Sequence, residues 1–174
     1  MTAPHDASGD ATPRHVLPIR GSQDANSLRD VIGSVVAEVA EDRRRRRLPH
    51  VSMTTDIGGG RAPVADAGRV RAVLRPLVAA ACEAATAPGP ASDGPSLHEV
   101  VITAVETHRG VEIEVADSGP GPAFLSADVV ADARGHTERL GGSLIVAACP
   151  DGGTAVTVCL WSCQDQRQAI RPAA

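Results

Sequence analysis

The chain has 174 residues, 43% of them hydrophobic and 22% charged, with a formal net charge of −4; that is the length and mix of one compact folded unit. All seventeen cationic side chains are Arg, which excludes lysine chemistry, from Schiff bases to the phosphate-gripping lysine of a P-loop. Phe124 and Trp161 are the only aromatic residues, so stacking platforms for nucleic acid cannot be built, and the acidic balance argues against backbone binding. No apolar run is long enough to cross a bilayer, and the N-terminus lacks the layout of a signal peptide, so a cytoplasmic protein without a membrane partner is expected. Cys82, Cys149, Cys159 and Cys163 lack paired metal-ligand spacing and are expected to be reduced packing thiols.

Residues 1–14 carry little to bury and are expected to form a disordered tail, as are residues 164–174. The folded unit is therefore placed at 15–163. His15 to Arg20 reads as a short strand. Ser27, with Asp30 three residues on, starts a helix in the manner of a capping box. Its apolar residues Leu28, Val31, Ile32, Val35, Val36 and Val39 make one continuous stripe. Arg43 to Arg47 close the helix, where cations complement the negative end of the macrodipole and form a solvated face.

Val51 to Ile57 reads as a strand, followed by a loop through Gly58 to Pro63. A second helix is expected to start at Asp66, with Val70, Val73, Leu74, Leu77, Val78, Ala81 and Cys82 repeating the stripe. Pro76 lies inside it, and the lost backbone hydrogen bond predicts a kink or break near Arg71 to Ala72. The stretch from Pro88 to Pro95 is a loop. Val100 to Thr107 and Val111 to Val115 form a hairpin turning at His108 to Gly110. Leu144 to Cys149 and Thr154 to Trp161 form another around Pro150 to Gly153. Helices on one face of a mixed, mainly antiparallel sheet satisfy every stripe, giving the α+β class and a two-layer α/β sandwich.

Chemistry is most legible at Val115 to Pro122. There Asp117 ends an alternating strand and runs into Gly119 and Gly121, which permit positive φ and close backbone approach to a ligand. Around it, Asp117-Ser118-Gly119-Pro120-Gly121, Gly141-Gly142-Ser143-Leu144 and Gly152-Gly153-Thr154 fall in the order of three boxes of a known family. Asp66 to Glu83 is similar to the helix that carries that family's asparagine box. From Ser27 to Trp161 the chain resembles the ATP-binding domain of sensor histidine kinases, in the superfamily of DNA gyrase, Hsp90 and MutL.

The resemblance implies a Bergerat-type sandwich that binds ATP or ADP. Asp117 would receive the adenine amino group, Thr154 would assist, and Gly119 and Gly121 would shape the pocket wall. The family's asparagines fall at Pro76 and Ala80, neither of which can coordinate a hard cation, and this puts Mg2+ in doubt. Glu83, one turn beyond Ala80, is the remaining oxygen donor on that helix, although a solvent-facing carboxylate is its ordinary role. Only Phe124 to Leu140 stands where the family inserts a lid and a further glycine-rich turn. The roughly 25 residues before Ser27 are too few and too Pro-rich for a helical hairpin with a phosphoacceptor histidine, so none is expected there, and the six histidines stand singly at ends or loops.

Phosphoryl transfer needs metal and preorganised donors, so no catalytic or metal-ligating residue is assigned. The function expected is that of a degenerate, non-catalytic regulatory or docking module in bacterial signalling, with a protein partner and weak or no nucleotide binding. The alternative is an active ATPase or a trans-acting protein kinase of the anti-sigma-factor type. A histidine phosphotransfer protein would need an exposed helical histidine, which the sequence does not offer.

Overall fold

The structure, a computed structural model, describes residues 27–58, 66–88 and 98–161. The expected strand at His15 to Arg20, both tails, Cys163 and most of the loops after Gly58 and Pro88 lie outside them. The elements run α1 (Leu28–Arg45), β1 (Ser52–Gly58), α2 (Ala67–Ala85), β2 (Glu99–Thr107), β3 (Gly110–Asp117), a 3-10 turn (Pro122–Phe124), α3 (Ala127–Arg139), β4 (Ser143–Ala148) and β5 (Thr154–Trp161). The sheet order is β1-β2-β3-β5-β4. β1 and β2 are parallel through the α2 crossover, and every other pair is antiparallel. The expected α+β two-layer sandwich is what forms.

Strand alternation decides which face is covered. Val100, Ile102 and Ala104 of β2 pair with Asp117, Val115 and Ile113 of β3, and Ile113 and Val115 pair in turn with Val158 and Val156 of β5. All are buried beneath the helices, while Glu112, exposed, and Glu114, half-buried, point the other way, the one-sided pattern of an antiparallel sheet.

α1 starts where its cap predicts. Asp30 N–H donates to Ser27 Oγ at 3.2 Å, and Ser27 N–H donates to an Asp30 oxygen at 3.1 Å, so the shorter acid still closes a capping box. The serine's donation holds the Asp30 carboxyl below its ordinary range. The arginine run is only partly the solvated face expected. Arg43 is buried and donates to Pro49 O at 2.9 Å, whereas Arg44, Arg45 and Arg46 pair along the helix with Glu41 and Asp42.

Pro76 does not break α2, which is continuous from Ala67 to Ala85. The proline forfeits the bond to the carbonyl of Ala72, which is exposed and can be hydrated. The loss of about 3 kcal/mol is outweighed by Val70, Val73, Leu74, Leu77 and Val78, all 1–2% exposed, each contributing roughly 1.5–3 kcal/mol. Arg71 adds a polar tie to α1 through Glu38 and through Ser34 Oγ at 2.8 Å.

The stretch from Phe124 to Leu140, which stands where the related family inserts a lid, contains a helix. In α3, Val129, Val130, Ala133, Thr137 and Leu140 fall on one face, with Ala133 and Thr137 fully buried against α2 and the sheet. It ends in a Schellman motif: Gly141, at φ 74°, donates to Glu138 O at 2.8 Å and Gly142 donates to Thr137 O at 3.0 Å. The Gly141-Gly142 pair is thus a helix stop, and a Cβ on Gly142 would stand 2.1 Å from Cys159 O.

Candidate functional site

The C-terminal turn of α2, the end of β3 and the start of β5 meet at one end of the sheet. Each last-turn carbonyl of α2, an obligatory acceptor, finds a donor there. Thr86 Oγ1 donates to Cys82 O and Glu83 O at 3.1 Å, Ala87 N–H to Ala84 O at 3.0 Å, and the His98 ring Nδ1 to Ala85 O at 2.6 Å. Ser118 locks β3 to β2 through its N–H to Glu99 O at 3.1 Å and its Oγ, which accepts from Glu99 N–H at 2.9 Å.

Asp117 sits in the middle of this knot, 7% exposed. Burial pushes its carboxyl pKa up, and the Gly119 N–H, donating to Oδ1 at 2.8 Å, pulls it partly back. The backbone N–H and hydroxyl of Thr154 lie toward the same carboxylate and also hold its pKa down. The Thr154 hydroxyl is nevertheless fully buried and completes no hydrogen bond of acceptable geometry. A buried hydroxyl that completes no hydrogen bond costs about 1–3 kcal/mol, and here it is held beside the Asp117 carboxylate.

The glycines here are fixed by close approach. A Cβ on Gly153, at φ 90°, would fall 1.8 Å from Asp117 O, and one on Gly119 would fall 2.5 Å from Ala84 O. Gly121, at φ 114°, opens the 3-10 turn. Asp117, Gly119, Gly121 and Thr154 are therefore gathered at one locus. Ala80 lies on α2, partly buried against the core, and offers no oxygen. Glu83 is exposed and lines the groove between α1 and α2 with Arg43, Arg46 and Arg75, so it is placed with the arginines of that groove.

Sequence reasoning missed Ala84 and His98, which act through a backbone carbonyl and a cap. Neither role leaves a residue-type signal. Among the described residues no group of three or more His, Cys, Asp or Glu is placed to hold a metal ion. Cys82, Cys149 and Cys159 are free thiols. Burial pushes Cys82 up to about 11, an inert packing group whose Sγ lies 3.7 Å from Met53 Sδ.

No protein-family model and no curated protein matches the chain. Its folded shape does have counterparts. The catalytic domain of histidine kinase ThkA, in a nucleotide-free form, superposes with a TM-score of 0.61 at 20% identity over 78% of this chain and 94% of that one. The chain has the histidine-kinase catalytic-domain fold. The ATP binding domain of PrrB from Mycobacterium tuberculosis gives 0.51 at 20% identity over 75% and 93%. The blue-light activated histidine kinase EL346 of Erythrobacter litoralis gives 0.57 at 16% over 81% of this chain and 43% of that one. Within this fold, Asp117 and Thr154 stand at adjoining strand ends on the helix-covered side. No helix among the described residues is long and apolar enough to cross a membrane.

Proposed function

We propose that the chain is a degenerate histidine-kinase-type ATP-binding domain. It works without catalysis as a regulatory or docking module in bacterial signalling in the cytoplasm, and its single folded unit spans 15–163. The observation that carries this is the pairing of polar strand ends, at Asp117 and Thr154, with two α2 positions, Pro76 and Ala80, that have no polar side chain. At Asp117 and Thr154, a buried carboxylate and an unpartnered hydroxyl fit the amino group and ring nitrogen of a purine. Along α2, Pro76 and Ala80 stand where the family places its asparagines, and neither holds a divalent cation.

The purine end of a nucleotide therefore fits the residues present, and the Mg2+-triphosphate end does not. Catalysis of phosphoryl transfer depends on charge neutralisation and positioning at that second end, so no transfer step is assigned to any residue here. What remains is a fold able to take ADP or ATP weakly or not at all, and to present its surface to a signalling protein.

The test is calorimetric titration of the full chain with ADP and ATP, with and without Mg2+, beside Asp117→Asn. Weak heat that is indifferent to Mg2+ and lost in Asp117→Asn supports a purine pocket without a metal site, and no heat at millimolar nucleotide supports an abandoned one. Tight, Mg2+-dependent ATP binding with turnover overturns the proposal in favour of an ATPase or kinase.

A further inference from the structure

The two edges of the sheet differ in kind. β1 presents Ser-Met-Thr-Thr-Asp-Ile-Gly, whereas β4 presents Ser-Leu-Ile-Val-Ala-Ala, with no charge, proline or glycine. Among the described residues β4 pairs only with β5, and Ile145 on it is 56% exposed. Solvent-facing edges are ordinarily blunted by charge, proline or a bulge, and β4 has none of these.

Helix α3 lies over β4 and β5, on the far side of α2 from α1. It runs antiparallel to α2, away from the Asp117 end. Right-handed winding then turns the flank bearing Asp128, Asp132 and Arg139 away from α2 and over the open edge, since these residues are four and seven apart. All three are exposed, and among the described residues none enters an ion pair within the chain. The cations and acids of α1, by contrast, largely neutralise each other. The acids of the α3 flank stand in the first half of the helix and the cation at its end.

We propose that two copies of the chain join by their β4 edges about a two-fold axis normal to the sheet, making one continuous ten-stranded sheet. Antiparallel β4 strands set α3 antiparallel to its counterpart, and the acidic first half of each helix then faces Arg139 of the other. The spacing agrees. A helix astride β5 and β4 lies about half a strand spacing inside the edge, so the two α3 axes fall about two strand spacings, or roughly 10 Å, apart. Packed helices sit at roughly 8–10 Å. An uncharged strand places no like charges opposite each other in self-pairing, and a two-fold contact buries the same patch twice. This inference is independent of the nucleotide site.

The experiment is sedimentation equilibrium of the full chain from micromolar to high micromolar concentration, with circular dichroism as the control for folding. Wild type is expected to approach twice the 17.8 kDa chain mass. Asp132→Arg alone and Arg139→Asp alone each set like charges face to face twice and are expected to weaken the dimer about tenfold or more. Joining both changes in one chain restores it, as does mixing the two single variants, since the cation added in one then faces the acid added in the other. A wild type that stays monomeric throughout, or a dimer indifferent to both single variants, overturns the proposal.

Discussion

The strand ends at Asp117 and Thr154 and the middle of α2 carry opposite chemistry. At the Asp117 end, a carboxylate and a hydroxyl are kept out of water, although one is raised in pKa by burial and the other has no partner. At the middle of the helix, Pro76 and Ala80 bring no polar atom beyond the backbone and incur no such desolvation. The carboxylate has a structural task, since it accepts the Gly119 N–H that closes the turn. The hydroxyl of Thr154 leans on that same carboxylate and helps hold its pKa down, yet completes no hydrogen bond of good geometry. On the function proposed above, the contrast puts what binding capacity survives at the strand ends rather than along the helix.

The largest effect available is to break the strand-end knot. Gly153→Ala would put a Cβ 1.8 Å from Asp117 O at a φ of 90°, and backbone cannot yield as a flexible side chain does. A loss of about 3 kcal/mol in urea unfolding is expected, with Asp117 displaced and any purine binding lost. A loss below about 1 kcal/mol would mean that β3 and β5 are held together elsewhere.

A smaller change separates the two polar groups. Thr154→Val replaces a buried unpartnered hydroxyl by a methyl and is expected to stabilise the chain by about 1 kcal/mol at acidic pH. The pH dependence follows from Asp117. Its folded pKa lies above the unfolded value, so the folded state holds the proton more firmly. Ionisation therefore weakens the fold as pH rises through that interval, and no penalty remains below the unfolded value. The Thr154 hydroxyl helps hold this pKa down. Its removal widens the interval, and the gain from Thr154→Val should shrink as pH rises toward neutrality. Thermal melts of both proteins from pH 3 to 8 check this, and a gain that does not vary with pH would separate Thr154 from Asp117.

How much of this was legible in the sequence depends on which force fixes each part. Stripes such as Leu28 to Val39 and alternation such as Val111 to Val115 gave α1, β3 and the layer arrangement, because burial acts residue by residue on the pattern itself. Gly119 and Gly153 were visible as turn glycines, but not the carbonyls they approach, which belong to residues distant in sequence or silent in type. α3 is hard to read because Gly135 interrupts its middle and its stripe of Val130, Ala133, Thr137 and Leu140 is short and mixes a polar residue with the apolar ones. Pro76 was overweighted, since a local penalty of about 3 kcal/mol is decisive in an isolated helix and minor in one buried along this much of its length.

The smallest structural effect bears on the middle of α2. Ala80→Asn adds an amide on a partly buried helical face, where helix propensity alone costs about 0.6 kcal/mol. If the absent amide is what limits nucleotide binding, this one oxygen should bring a Mg2+-dependent gain in ADP affinity of about tenfold, the worth of one charge-assisted contact. Calorimetry with and without Mg2+ reads it directly. Were affinity to stay flat, the limit would lie at the strand ends. There Gly119 is packed on Ala84 O and Asp117 is almost closed to solvent, and access for the purine rather than a hold on its phosphates would set the weakness of binding.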